Sequence, residues 1–353
     1  MYKCFGKTKV AVIWTVILGC FGILFIFSEE CKNGALNGIL MSLGILVPSL
    51  FPFFILASFI SESHIIDLVT PLFSPVSKLL LGLRGVCLAP LLMSLVGGYP
   101  VGAKATATLY HNKKISAFEA ERLAVICCFS GPGFLITFVG ISLLFSRESG
   151  IILLLSQIIS SVVLCVVSRL IYGKHSDFTE KSEPQKVSVS EALVNSVNSA
   201  VKSTAGMCGF VITFAIICNV VTEGLGADNT VCKVSVATLE ITTGVNLLAG
   251  EVSLEVISAL TAFGGFCVHL QIFRELKEVP FSKIWFYIFR LIQSAVCLLS
   301  AKLLLLAFPV TDSVFSTTAE KPELTFYSNI TGAIALLITS IVFIISIRNK
   351  RTS

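Results

Sequence analysis

Long apolar runs separated by short polar clusters dominate this chain, and most of them approach the roughly 20 residues a helix needs to cross a bilayer. The first, Val10 to Phe27, follows Lys3, Lys7 and Lys9 and precedes Glu29 and Glu30, which predicts an uncleaved anchor with a cytoplasmic N-terminus. Leu36 to Ile60 comes next, and Pro48 and Pro52 predict a kink near Val47 to Phe53 because each removes an intrahelical donor. Ile65 to Gly82 holds Asp67, Pro71, Pro75 and Lys78 and reads as a segment along the interface. Leu88 to Leu109 is long enough to cross, yet Gly97-Gly98-Tyr99-Pro100 interrupts it. A re-entrant hairpin satisfies both facts, with His111, Lys113 and Lys114 marking a cytoplasmic exit. Leu123 to Phe145 then crosses with a break at Ser130-Gly131-Pro132-Gly133, and Gly150 to Tyr172 returns.

The second half repeats this order. An amphipathic approach, Ser190 to Ser203, leads into a span at Thr204 to Val221. Asn229 to Gly250 is a second hairpin candidate, its tip expected at Thr242 to Asn246, and Val256 to Phe273 is broken at Gly264-Gly265. Trp285 to Phe308 and Ile330 to Ile347 complete the series, the last followed by Arg348, Lys350 and Arg351. The expected fold class is therefore all-α: a polytopic membrane protein of about eight transmembrane helices and two re-entrant hairpins, with both termini cytoplasmic. Its parts are an N-terminal anchor (1–35), a first half (36–172), a polar linker (173–189), a second half of opposite orientation (190–308), and a C-terminal helix with a basic tail (309–353). Paired discontinuities in an inverted-topology repeat point to a transporter's binding site.

Composition agrees and narrows the function classes. Of 353 residues, 55% are hydrophobic and only 13% charged, with a mean hydropathy of +0.90, so no sizeable soluble domain is expected. The net charge of +5 fits cytoplasmic loop lysines and arginines; no basic stripe with interleaved aromatics suggests nucleic acid. Twelve cysteines are scattered through apolar runs without a C-x-x-C, which favours packing roles over a metal or disulfide and fits a bacterial cytoplasmic membrane facing a reducing interior. No H-E-x-x-H, G-x-S-x-G or Walker-type loop is present, so neither an enzyme nor a cofactor is expected.

The candidate substrate-binding residues cluster at the breaks. Gly97, Gly98, Ser130, Gly131, Pro132, Gly244, Gly264 and Gly265 open the backbone, exposing helix ends whose N–H groups attract an anion. Tyr99, Pro100, Thr242, Thr243 and Asn246 shape the tips, while Tyr99, Phe134 and Phe266 offer flat faces to a planar solute. Lys104 either binds an anion or snorkels to the surface. Glu240 is the candidate for a coupling ion, with pairing to Lys104 or a structural cap as alternatives. His269 and Gln271 follow the second break, where the histidine relays protons or satisfies a neighbouring carbonyl. Arg290 and Lys302 are expected near helix ends as headgroup snorkelers.

PLLMSLVGGYPVGAK from Pro90, ISAFEAERLAVICCFSGPGF from Ile115 and FGGFCVHLQ from Phe263 resemble the YlbJ family, sporulation integral membrane proteins of the nucleoside-recognition or Gate-domain group. The resemblance covers roughly Leu36 to Phe308. It implies a fold similar to concentrative nucleoside transporters and, in endospore formers, passage of dipicolinate across the outer forespore membrane. Cys127-Cys128-Phe129 stands where the family leads one to expect asparagines, which leaves the choice between dipicolinate and a nucleoside-like solute open. A transporter by alternating access is expected, with a membrane scaffold for spore-envelope maturation as the alternative. Direction, coupling ion and homo-oligomer formation stay open.

Overall fold

The computed structural model describes residues 14–63, 65–173, 188–224, 226 and 229–310, apart from residues 16 and 20. The basic N-terminus and the start of the first expected span, residues 174–187 of the linker, and the C-terminal span Ile330 to Ile347 with its basic tail lie outside the described residues.

Helix α1, Ser28–Glu62, is a single 35-residue span. A π-turn at Ser42–Leu46 precedes Pro48, and Ser49 Oγ donates to Ile45 O (2.7 Å) there, so the proline-induced irregularity is absorbed without breaking the helix. α2 (Ile65–Leu80) and α3 (Leu88–Gly97) follow; the runs Thr70–Leu80 and Gly85–Gly97, the second including a 3-10 turn at Gly85–Cys87 ahead of α3, are bent by 80°. α4 (Tyr99–His111) doubles back on α3 as the first hairpin. α5 (Ala117–Ile126) starts from a capping box in which Ser116 Oγ accepts from Glu119 N and Glu119 accepts from Ser116 N. Arg84 grips the same Glu119 carboxylate with Nε (2.8 Å) and Nη2 (2.5 Å). Burial alone would raise that carboxyl, but the bonds from Arg84 and from the Ser116 backbone hold it below the usual glutamate value.

The π-helical α6 (Gly133–Leu143) and the long α7 (Arg147–Tyr172) close the first half. In the second, α8 (Val189–Gly224) is one continuous 36-residue helix, where the sequence suggested an interfacial approach and a separate span. Its polar residues do not interrupt it, because Ser196 Oγ bonds back to Ala192 O (2.6 Å) within the helix. α9 (Thr230–Leu239) and α10 (Ile241–Leu248) form the second hairpin, α11 (Leu254–Phe263) and α12 (Gly265–Glu275) a broken helix, and α13 (Lys283–Ala307) the last long one.

Among the described residues five helices are long and apolar enough to cross a membrane: α1, α7, α8, the α11–α12 unit and α13, with the bent α2–α3 pair as a sixth. The all-α membrane fold is as expected, while the count of eight is not confirmed by these residues. One predicted span lies outside the described residues and another only partly within them. The broken crossing is split into arms of 10 and 11 residues, each too short to span alone. The order of long helix, hairpin, broken helix and long helix nevertheless occurs twice. The leading helices of the two halves, α1 and α8, pack closely: a Cβ on Gly34 or Gly38 would lie 2.7 Å from Ile216 Cα or Ile212 Cα. Small residues permit that approach where apolar lipid gives no drive of its own.

Candidate functional site

The first hairpin turns at Gly98, whose φ of +92° and ψ of −175° belong to a region open essentially only to glycine. This tip abuts the first break. A Cβ on Gly131 would stand 3.1 Å from Gly98 N, and one on Gly98 would stand 3.4 Å from Gly131 N. Between Ile126 and Pro132 the chain is non-helical, and in a membrane each backbone group there needs a partner. Ser94 Oγ accepts from Phe129 N (3.2 Å), while Gly131 O accepts from Phe134 N and Leu135 N (3.1 and 3.0 Å). Arg290 donates Nη2 to Val125 O (2.6 Å) and Nη1 to Cys128 O (2.5 Å).

The second hairpin turns at Glu240 rather than within Thr242 to Asn246. Thr242, Thr243, Gly244 and Asn246 all lie inside α10, and Asn246 is exposed. The displacement has a local cause: the Glu240 carboxylate accepts from Thr242 N (3.0 Å) and Thr243 N (2.6 Å), so a side chain starts the second arm. Gly102 is the spatial counterpart of Gly244, each four residues after its tip and pressed on the opposite arm. A Cβ on Gly244 would reach 2.0 Å from Ala237 Cα, and one on Gly102 would reach 2.5 Å from Ser94 Cβ.

The second break lies against both tips. A Cβ on Gly265 (φ +78°) would stand 3.3 Å from Leu239 O and Ile241 N of the second tip. On Gly264 (φ +86°) it would stand 3.0 Å from the Tyr99 ring of the first. Tyr99 Oη donates to Thr261 O, and Ser130 Oγ lies in hydrogen-bonding reach of both, 3.0 Å from Thr261 O. Two tips and two breaks therefore form one contiguous cluster, buried at Tyr99, Ser130, Thr261 and Glu240. Pro100 is buried on the first arm and Pro132 starts α6.

Other nominated residues point elsewhere. Lys104 lies 3.7 Å from Glu275 at the far end of α12, a pair that Ser203 Oγ joins at 3.1 Å; Glu240 is not its partner. Gln271 donates to Cys267 Sγ within its own helix. Phe266 is 41% exposed and Phe134 stacks on Phe138 at 5.5 Å, so of the three flat faces only Tyr99 lines the junction. His269 is fully buried among Phe263, Phe266, Phe286 and Tyr287. Its Nε2–H donates to Phe263 O (2.7 Å), the carbonyl at the end of α11, leaving Nδ1 an acceptor with no partner among the described residues.

Arg290 corrects the sequence expectation most. It is 1% exposed and lies in the middle of α13, not at a headgroup, and Gln293 links it onward to Gln157 (3.0 Å). An arginine at a bilayer centre costs about 2.5–3.5 kcal/mol on insertion scales, so it is retained for a purpose. The α13 spacing held a signal for it: Arg290 and Gln293, three apart, share the helix face with buried Phe286, Phe289 and Cys297. Ser94 and Thr261, both buried helix residues, carried none. A cleft of about 520 Å³ between the start of α7 and the end of α13 is lined by Phe145, Ile151, Leu155, Leu304 and Phe308 and shares no residue with the tips.

Residues 43–146 match the Gate family model, described as nucleoside recognition, so they take in the first hairpin and the first break. The chain is 27% identical over 299 residues to the sporulation integral membrane protein YlbJ of Bacillus subtilis (strain 168), a match covering 73% of each. No solved structure matches the chain.

Proposed function

Starting from an integral membrane protein that carries a Gate domain and resembles YlbJ over most of its length, we propose that it transports a small organic anion or a nucleoside-like solute. The observation behind this is the single cluster made by two hairpin tips and two helix breaks, tied across the halves by Tyr99 and Ser130 on Thr261 O. In such an arrangement broken helices hold polar backbone at membrane depth, where only a protein- or solute-lined cavity tolerates it. The two halves, in opposite orientation, rock about the cluster, and the bonds to Thr261 O separate and re-form as the site faces either side. Similarity to a sporulation protein makes dipicolinate the first solute to try, with the outer forespore membrane as its place; the Gate description makes uridine the second.

Purified protein in proteoliposomes should take up radiolabelled dipicolinate above protein-free vesicles and show saturation. Tyr99→Phe, which removes the cross-half hydroxyl, should alter the uptake rate while leaving the protein folded. No flux of dipicolinate or uridine, with or without a pH gradient, would turn the assignment to a scaffold of the spore envelope.

A further inference from the structure

Arg290 is a fully buried cation with no counter-ion among the described residues. No Asp or Glu among the described residues pairs with it; Glu119, Glu251 and Glu275 are held by other cations. Its acceptors are all neutral: Val125 O, Cys128 O and the Gln293 amide. Its Nε finds no partner among the described residues, and the residue is only 1% exposed. The guanidinium also lies 5.3 Å from the Phe286 ring centroid. Cys128 O belongs to the unwound stretch leading into Ser130 and Gly131, and Val125 O to the last turn of α5 before it, so the unbalanced charge is applied at the edge of the junction cluster itself.

We propose that Arg290 is the group that recognises the negative charge of the transported solute, a carboxylate, and that Val125 O and Cys128 O hold its place when no solute is bound. This rests on the transport function proposed above. A carboxylate offers two ionised oxygens to the planar fork of an arginine and forms bonds roughly twice as strong as neutral acceptors do. It therefore competes with the two carbonyls, and their release frees the segment between α5 and α6 to move. Lys104, with Glu275 already beside it, does not have this spare charge. Anion recognition and movement of the broken helix thus become one event.

The test compares pyridine-2,6-dicarboxylate with its neutral diamide, which has the same shape, by equilibrium binding to the full-length protein in nanodiscs. Wild type should prefer the dicarboxylate by about tenfold or more, and Arg290→Gln should lose that preference, whereas loss of a merely structural cap would weaken both probes alike. Persistence of the preference in Arg290→Gln, or its absence in wild type, overturns the proposal. If Arg290→Gln does not elute as a folded species, Arg290→Lys serves instead. Keeping the charge but not the fork, it should bind the dicarboxylate about tenfold more weakly than wild type, and unchanged affinity overturns the proposal. Wild-type protein that binds the diamide and uridine but not the dicarboxylate refutes the role of Arg290 alone; protein that binds none of the three refutes the transport function with it.

Discussion

The first and second junctions face the same physical problem and solve it with different chemistry. Each must end a helix inside the membrane beside a hairpin tip without leaving backbone groups unpaired. At the first, a glycine in a glycine-only conformation makes the tip, the break is extended over several residues, and distant side chains, Ser94 and Arg290, satisfy it. At the second, Glu240 caps the arm it begins, and the break is a two-glycine kink whose flanking carbonyls, Thr261 O and Phe263 O, are taken by Tyr99 and His269. One junction is held from outside by a cation, the other from within by a carboxylate. A long break with borrowed partners can exchange those partners for a solute; a short kink that caps itself is suited to staying put. On the transport function proposed above, the difference assigns recognition to the first junction, which Arg290 reaches from α13, and anchorage to the second junction.

Substitutions at the two crossing points of the hairpins should have the largest effects. In Gly244→Ala the new methyl would overlap Ala237 backbone at 2.0 Å, and in Gly102→Ala it would overlap Ser94 Cβ at 2.5 Å. Overpacking costs about 1–3 kcal/mol and can exceed it against rigid backbone, so both should lower the melting temperature in nanodiscs, Gly244→Ala by more. A milder Gly244→Ala would show that the second junction is the looser one. The tips come next. Gly98→Ala forces a side chain into a forbidden backbone region at about 1–3 kcal/mol, whereas Glu240→Ala loses a cap at about 1 kcal/mol. If Glu240 only anchors, Glu240→Gln should transport dicarboxylate at near-normal rates after correction for folded protein; abolished uptake in well-folded Glu240→Gln would give it the coupling proton instead.

Outside the junctions the effects shrink. The Glu119 carboxyl is held below its ordinary value, so it adds stability that is complete above the unfolded glutamate value of about 4.3 and disappears as pH falls through the lower folded value. Glu119→Gln should flatten the acid side of the stability curve in a pH series of melting temperatures. Lys104→Ala should be the mildest, since a partly exposed pair is worth about 0–1 kcal/mol, and the preference for dicarboxylate over diamide should survive it. Loss of that preference would move anion recognition from Arg290 to Lys104, on the second arm of the first hairpin, and overturn the role given to Arg290.

Glycines and prolines made the breaks legible, because at membrane depth a Gly97-Gly98 or a Gly264-Gly265 has few uses other than freeing the backbone. A structural cap was one of the readings open for Glu240, and the structure takes it; what misplaced the tip downstream was the turn-like Thr242-Thr243-Gly244-Val245-Asn246, which the cap turns into helix. Arg290 was hidden by a positional assumption. A lone arginine in an apolar helix suggests a headgroup, although its helical register with Gln293, Phe286 and Cys297 pointed to a shared face; its partners, carbonyls more than a hundred residues earlier in the chain, show that this face is buried. The continuity of α8 was likewise concealed, since serines and asparagines that look interfacial bond within their own helix.

The central claim is that the two junctions form one site. Equilibrium dialysis of radiolabelled dipicolinate against the full-length protein in nanodiscs measures it directly. One molecule per chain should bind, and binding should be lost on obstructing either junction, by Gly131→Trp in the first or Gly265→Trp in the second, in protein shown to be folded. Two independent molecules per chain, or one that persists when either junction is blocked, would contradict it.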